Sequence, residues 1–424
     1  MTNMTRNIIL QLLFVTLLFS QANAQLNIDA EIRPRFEYRH GYKTLFPDNV
    51  DPAAFVSQRT RLNANYEINK LSFHISLQDI RVWGDVPQLN TSDKNGLGIH
   101  QAWARIGLDK NLFLKVGRQE IIYDDHRIFG DVGWAQQARS HDAALFQFNN
   151  SGYSLDLGFA YNQNDENLTG TTLTTAGNYK SIQYLWFHKK FDNFSGSLLF
   201  LNNGLQYIDQ IDSNNDETRY SQTFGTHLNY MKEKLKLASN LYYQFGKDMA
   251  NNTLKAYLLS LEGNYNLTPK MSLGLGAELI SGNKNGLPTN LENKAFNPLY
   301  GTNHKFNGLM DYFYVGNHAN NVGLLDLYAN AKILVNEKSS LSFALHNFSA
   351  AAAIDTNEER KLGVELDIVY GYKLQKEIGI LAGYSHLFAS NGMEIIKNNT
   401  DGNANNWGWV MLTINPVLFT NSTN

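Results

Sequence analysis

Residues 27–40 read NIDAEIRPRFEYRH. Ile28, Ala30, Ile32, Pro34, Phe36 and Tyr38 share one parity, and Asp29, Glu31, Arg33, Arg35, Glu37 and Arg39 share the other. A period of two is a β-strand with an apolar face and a charged face. Residues 57–68, SQRTRLNANYEI, repeat the pattern: Thr60, Leu62, Ala64, Tyr66 and Ile68 oppose Arg59, Arg61, Asn63, Asn65 and Glu67. A soluble sandwich turns such a charged face outward. A transmembrane barrel inverts it, placing apolar residues in lipid and polar ones around a wet lumen.

Segment and connection lengths separate the two. Strand-like segments recur from 26–39 to 405–419, eighteen in all, including 112–122 and 319–334. Their connections alternate between tight turns such as Asn69-Lys70, Asp109-Lys110-Asn111 and Thr268-Pro269, and longer stretches such as 123–139 and 281–318. Eight short and nine mostly long connections suit a membrane barrel with short periplasmic turns and long external loops. Beyond residue 25 no run of about 18 apolar residues exists, which excludes helical spans and leaves a closed barrel as the membrane solution. Tyr161, Tyr230, Tyr265, Tyr384 and Phe388 lie near segment ends, where interfacial girdles belong. In the closing segment, Trp407, Trp409, Met411 and Phe419 share a parity. The expected fold is therefore all-β: a single transmembrane antiparallel β-barrel of about 18 strands over residues 25–424, with short periplasmic turns and long extracellular loops.

The opening residues carry Arg6, an apolar run from Ile8 to Phe19, and Ala22-Asn23-Ala24. This is the pattern of a cleaved signal peptide over 1–24, and the run falls short of the roughly 20 residues a membrane helix needs. There is no cysteine, which removes disulfides and thiol catalysis. A formal charge of -3 gives no footprint for nucleic acid.

Ten of the thirteen arginines lie between residues 33 and 139. On the first strands the alternation points them into the lumen, because lipid strongly penalises charge. Such a strip would pass an anion from one guanidinium to the next, since each fork donates two parallel hydrogen bonds to a carboxylate or phosphate. Ordinary salt-bridging along a barrel wall, with no substrate preference, is the plainer use of the same residues. The densest block is VGRQEIIYDDHRIFGDVGWAQQARSHDAA, residues 116–144, which holds three arginines, two histidines and five carboxylates. Asp124, Asp125, His126 and Trp134 fall in a long connection that either folds into the pore as a constriction or stays outside. No HExxH or GxSxG pattern turns these residues into a metal site or a hydrolase, so neither an enzyme nor a cofactor is expected.

Two blocks resemble the alginate-export family of Gram-negative outer-membrane channels. In the first, Gly117, Arg118, Gln119, Tyr123, Asp125, Arg127, Gly130, Trp134, Arg139 and Asp142 resemble a strand-to-loop signature. In the second, FNPLYGTNHKFNGLMDYF at 296–313, Phe296, Leu299, Tyr300, His304, Lys305, Phe306, Gly308 and Asp311 resemble a later long-loop signature. The asparagine- and tyrosine-rich texture also looks like exported proteins of Bacteroidetes. The resemblance implies a monomeric eighteen-strand barrel in the outer membrane, passive passage of an anionic polysaccharide, and periplasmic secretion partners. It nominates Arg33, Arg35, Arg59, Arg61, Arg118, Arg127 and Arg139 as the conduit, with His304 and Lys305 as loop contributions. The expected function is a passive channel for anionic or polar saccharides, including polysaccharide export. A general diffusion porin for small solutes and an adhesive barrel using its long loops are the alternatives.

Overall fold

A computed structural model describes residues 24–356, 359–400 and 402–421, so the leader expected at 1–24 lies almost wholly outside the described residues. The described residues form one antiparallel barrel of eighteen strands. These are β1 (Gln25–His40), β2 (Ala53–Ile68), β3 (Leu71–Val82), β4 (Gly98–Gly107), β5 (Leu112–Gln119) and β6 (His141–Asn150). Next come β7 (Tyr153–Tyr161), β8 (Ser181–Lys190), β9 (Phe194–Tyr207), β10 (Glu217–Lys232), β11 (Leu235–Lys247) and β12 (Thr253–Thr268). The last third is β13 (Met271–Ile280), β14 (Leu324–Leu334), β15 (Ser339–Ser349), β16 (Lys361–Lys373), β17 (Ile378–Ala389) and β18. Strand β18 covers Asn405–Ile414 and resumes over Val417–Asn421. Pro416 has no N–H to give the ladder, which accounts for the break. The barrel closes where β1 pairs with β18, Arg35 opposite Met411 and Tyr38 opposite Gly408.

Register sorts the two faces. Arg33 faces Arg59 and Glu31 faces Arg61 across β1–β2, so the charged parity of both strands shares one side. That side is the lumen, because Arg33 and Arg35 reach a loop folded inside the barrel. The other parity, with Ile32, Phe36 and Leu62 exposed, is the outer apolar surface. The girdle residues Tyr161, Tyr265, Tyr384 and Phe388 are exposed as well. Trp407 and Trp409 instead face inward: Trp407 is fully buried and donates from its indole to Glu37 at 3.1 Å.

Four inward glycines sit directly opposite aromatic residues of the next strand. The pairs are Gly158 with Tyr184, Gly225 with Tyr242, Gly276 with Tyr328 and Gly383 with Trp409. A Cβ on any of them would come within 2.1–2.3 Å of the facing ring. The large side chain lies flat over the bare glycine, a packing that strongly twisted sheets use to fill their concave side.

Two of the boundaries that differ from the sequence reading bear on the inward loops. Residues 120–122 leave the sheet, because Ile121 turns into the interior and is buried there. Residues 319–323 remain in the seventh loop, which ends at Gly323 with φ +71°. The third loop (120–140) and the seventh (281–323) both fold inward. Their Ile128, Phe129, Phe296, Met310 and Tyr312 join the main apolar cluster, so much of the core is made of loop residues.

Candidate functional site: a guanidinium wall beneath two inward loops

On the lumen side of β1 and β2, Arg33, Arg35, Arg39, Arg59 and Arg61 form a wall. Glu31 pairs with Arg59 at 2.6 Å and lies 4.0 Å from Arg33. Glu37 pairs with Arg35 at 2.9 Å and with Arg39 at 2.8 Å. Arg61 donates to Gln78 at 2.9 Å, and among the described residues no carboxylate lies in salt-bridge range of it. Five guanidiniums against two directly paired carboxylates leave three positive charges.

The third loop rests on this wall. Arg33 donates to the Gly133 carbonyl at 2.8 Å, and more weakly to those of Trp134 and Ala135. Arg35 donates to the Trp134 carbonyl at 2.7 Å, and its guanidinium lies 4.0 Å over the Trp134 ring. Gln136 accepts from Arg33 at 3.0 Å and donates to Ser57 Oγ at 3.0 Å. Trp134 stacks on His304 of the seventh loop with centroids 4.5 Å apart. The two loops also pair through backbone: Gly130 N–H donates to the Tyr300 carbonyl and Thr302 N–H to that of His126, both at 2.9 Å. A Cβ at Gly130 would meet Thr302 Oγ1 at 2.3 Å, so this approach requires glycine.

The wall built by β13 to β16 is acidic and covered. Glu278 accepts from Arg127 and, at 2.8 Å, from Asn307. Glu365 accepts the Met310 N–H at 2.8 Å, Asp367 the Leu309 N–H at 3.3 Å, and Asp326 pairs with His346 at 2.9 Å. Glu278, Asp326, Glu365 and Asp367 are all buried. Their charge is spent on seating the loops, whereas Arg39, Arg61 and Arg139 stay partly open.

A cavity of about 520 Å³ lies on the extracellular side, lined by Arg39, Tyr42, Lys43, Trp134, Arg139 and Tyr314. Arg139 donates to the Gly301 carbonyl at 3.1 Å, and Lys43 to that of Val315 at 3.0 Å. Neither is salt-bridged to a carboxylate among the described residues. Burial pushes the Tyr42 phenol well above its ordinary value, and the Asp311 carboxylate to which it donates adds to the shift. A second cavity, about 400 Å³, is bordered by Asp125, His227, Glu262, Glu278, Tyr328 and His346.

The expected residues divide accordingly. Arg33, Arg35 and Arg59 face the lumen but hold the third loop. Arg127 belongs to that loop, is fully buried, and pairs with Glu278. Arg118 is a correction: it shares the outward parity of Leu112, Leu114 and Val116, opposite Asp142, to which it donates at 2.8 Å. Lipid-facing charge is tolerated there because the pair sits at the extracellular end of its strands. Among the loop residues, Asp124 accepts from Trp186 at 3.2 Å, and burial raises its carboxyl. Asp125 accepts from Asn240 at 2.6 Å, and its carbonyl accepts from Lys305 at 2.8 Å. His126 lies 3.3 Å from Asp131, and His304 lies 2.6 Å from Asp311. Arg105 and Lys115, which face each other on the lumen side of β4 and β5, lie outside the expected set. Their alternation with Ala104, Ile106, Leu114 and Val116 would have found them. Among the described residues no group of three His, Cys, Asp or Glu is arranged for a metal.

The chain matches the family model described as alginate export over residues 24–408. Among solved structures it is similar to OccAB1 of Acinetobacter baumannii, with TM-score 0.63 and 13% identity over 93% of this chain and 97% of that one. OccAB4 of the same organism gives 0.61 and 12% over 94% and 99%. OpdK of Pseudomonas aeruginosa, crystallised with vanillate, gives 0.60 and 10% over 93% and 99%. Likeness at these identities is one of fold. No protein of curated function matches the sequence. The barrel, with its apolar exterior and polar interior, belongs to the bacterial outer membrane.

Proposed function

The chain belongs to the alginate-export family, and from that premise we propose that it is a passive outer-membrane diffusion channel for small anionic or polar solutes, acidic mono- and oligosaccharides among them. The observation that carries this is the unequal exposure of charge. Lumen carboxylates on the acidic wall are buried under the loops, whereas Arg39, Arg61 and Arg139 remain partly open. Along the β1–β2 side a solute therefore meets mainly positive charge, which favours anions through several weak sites. OpdK, crystallised with vanillate, is an example of this fold in the company of a small carboxylate.

Export of a whole anionic polysaccharide is the second reading, favoured by the family's description. Two loops crossing the lumen weigh against it as the resting activity, because a polymer requires a continuous wide path. We further propose that residues 1–24 are removed on export and that 25–424 act as one barrel. N-terminal sequencing of the outer-membrane form tests the cleavage point.

The functional test is the reversal potential of the refolded chain in a planar bilayer under a potassium chloride gradient, repeated with acidic and neutral oligosaccharides. Chloride preference, with acidic sugars permeating or blocking more than neutral ones, is expected. Equal passage of both ions would reduce the protein to an unselective porin. An absence of current from verified, folded barrel would favour an adhesive role for the loops.

A further inference from the structure

Three of the five arginines on the β1–β2 wall donate to backbone carbonyls of the third loop. Successive carbonyl oxygens of Gly133, Trp134, Ala135 and Gln136 point at Arg33, Arg35 and Arg59. Its five guanidiniums share two carboxylates, a net of three positive charges, and neutral carbonyls do not cancel them. A carboxylate binds guanidinium roughly twice as strongly as a neutral acceptor does. The carbonyls hold their place in an empty channel because they are tethered, which gives them a high effective concentration. The same segment is bounded by strain: Val132 has φ +52° and Ala138 φ +54°. Positive φ is costly for any residue with a Cβ and most so for a β-branched one. The segment between these two positions is thus held in place by hydrogen bonds and pulled by its ends.

We propose that the tip of the third loop, Gly133–Gln136, is a built-in competitor for the channel's anionic solute. It occupies the guanidinium wall at rest and is displaced by a small carboxylate, which opens the path along β1 and β2. This rests on the reading of the protein as an anion-preferring channel. The solute shifts the loop because it binds the uncovered wall and not the covered one, and the shift is limited by that difference in affinity. Gln136 is the latch, joined to Arg33 on one side and to Ser57 on the other.

The chain's lack of cysteine makes a direct test available. In the full chain carrying Ser57→Cys and Gln136→Cys, the relative permeability of galacturonate to chloride is read from bi-ionic reversal potentials, before and after reduction. Mass spectrometry verifies the crosslink. The tip tethered by the disulfide is expected to pass galacturonate at least about threefold less well than the reduced form, with chloride preference over potassium kept in both. Equal galacturonate permeability in the two forms overturns the proposal. Should the disulfide not form, Gln136→Ala serves instead: it is expected to raise galacturonate permeability, and no change overturns the proposal equally. If the unmodified chain shows no chloride preference, the underlying channel reading fails; if the preference stands and the lock has no effect, only the competing tip fails.

Discussion

Arg127 of the third loop donates to the carboxylate of Glu278 on β13, 151 residues further along the chain, with side-chain exposures of 0% and 6%. Asn307 of the seventh loop donates to the same carboxylate at 2.8 Å and accepts from Arg127 at 3.2 Å. Glu278 is thus the point at which both inward loops are fixed to the wall. Removing one member of a buried pair strands the other charge, at a cost of about 3–5 kcal/mol. Glu278→Ala is expected to loosen the two loops without unfolding the sheet. Single-channel records would show higher conductance and more current noise, while the heat-dependent shift in gel mobility typical of a closed barrel persists. Arg127→Met with Glu278→Met, which removes both charges, is expected to restore quiet records; equal noise in single and double variants would count against a charge-specific role.

The two arginine environments make opposite predictions. Arg139 borders the extracellular cavity with no salt-bridge partner among the described residues, whereas Arg118 faces outward and pairs with Asp142. Arg139→Gln is expected to lower the chloride-to-potassium permeability ratio by about twofold, since a partly open pore charge acts on passing ions through little screening. Arg118→Gln should leave the ratio unchanged. Reversal potentials of both variants decide it, and a larger effect at Arg118 would contradict the register of β4, β5 and β6.

The glycine–aromatic pairs predict a folding defect without a charge change. At Gly158 a Cβ would lie 2.1 Å from the Tyr184 ring, which donates no space because it is buried against Phe129 and Tyr123. Gly158→Ala should destabilise the barrel by about 1–3 kcal/mol, the usual cost of overpacking. The midpoint of urea unfolding measures it. Adding Tyr184→Phe should not rescue the variant, because the ring carbons make the closest contact.

The seating of the seventh loop should depend on pH. Helix α1 (Asn391–Lys397) ends in Lys397, whose ammonium donates to the Tyr312 carbonyl at 2.5 Å; burial lowers its pKa to about 8. His318, in the same loop as Tyr312, is lowered to about 3 by burial first and by nearby Lys397 second. Both groups hold their protons less tightly when the loop is seated than when it is free. Seating therefore weakens as pH falls from 6.5 towards 3 through His318, and strengthens as pH rises from about 8 towards 10.5 through Lys397. A spin label at Leu287→Cys, an exposed position in this loop, should show its largest mobile fraction at pH 5 and its smallest near pH 10. Lys397→Met with His318→Gln should flatten the profile.

Strand count, alternation of turn lengths and the lumen parity of Arg33, Arg35, Arg59 and Arg61 are legible in the sequence. Period two is a local consequence of backbone geometry, and lipid on one side with water on the other writes it into each strand. The parity of Arg118 is equally legible beside Leu114 and Val116, whereas its dense charged block and family-like signature point the other way. Which way the third loop turned was not legible. Its glycines and charges are compatible with either side of the rim, and the choice is made by partners far along the chain: Glu278, Thr302, Tyr300 and the β1 arginines.

By itself, then, the sequence determined a barrel, its approximate strand boundaries and the sign of one wall, because these follow from residue type at fixed spacing. Only the tertiary structure decided which charges a solute can meet. Glu365 and Asp367 are as acidic in the sequence as any exposed carboxylate, yet the backbone amides of Met310 and Leu309 cover them. Arg33 is as basic as Arg61, yet the third loop takes its donors. Access depends on contacts between segments 55 to 103 residues apart, and such contacts leave no local period to read.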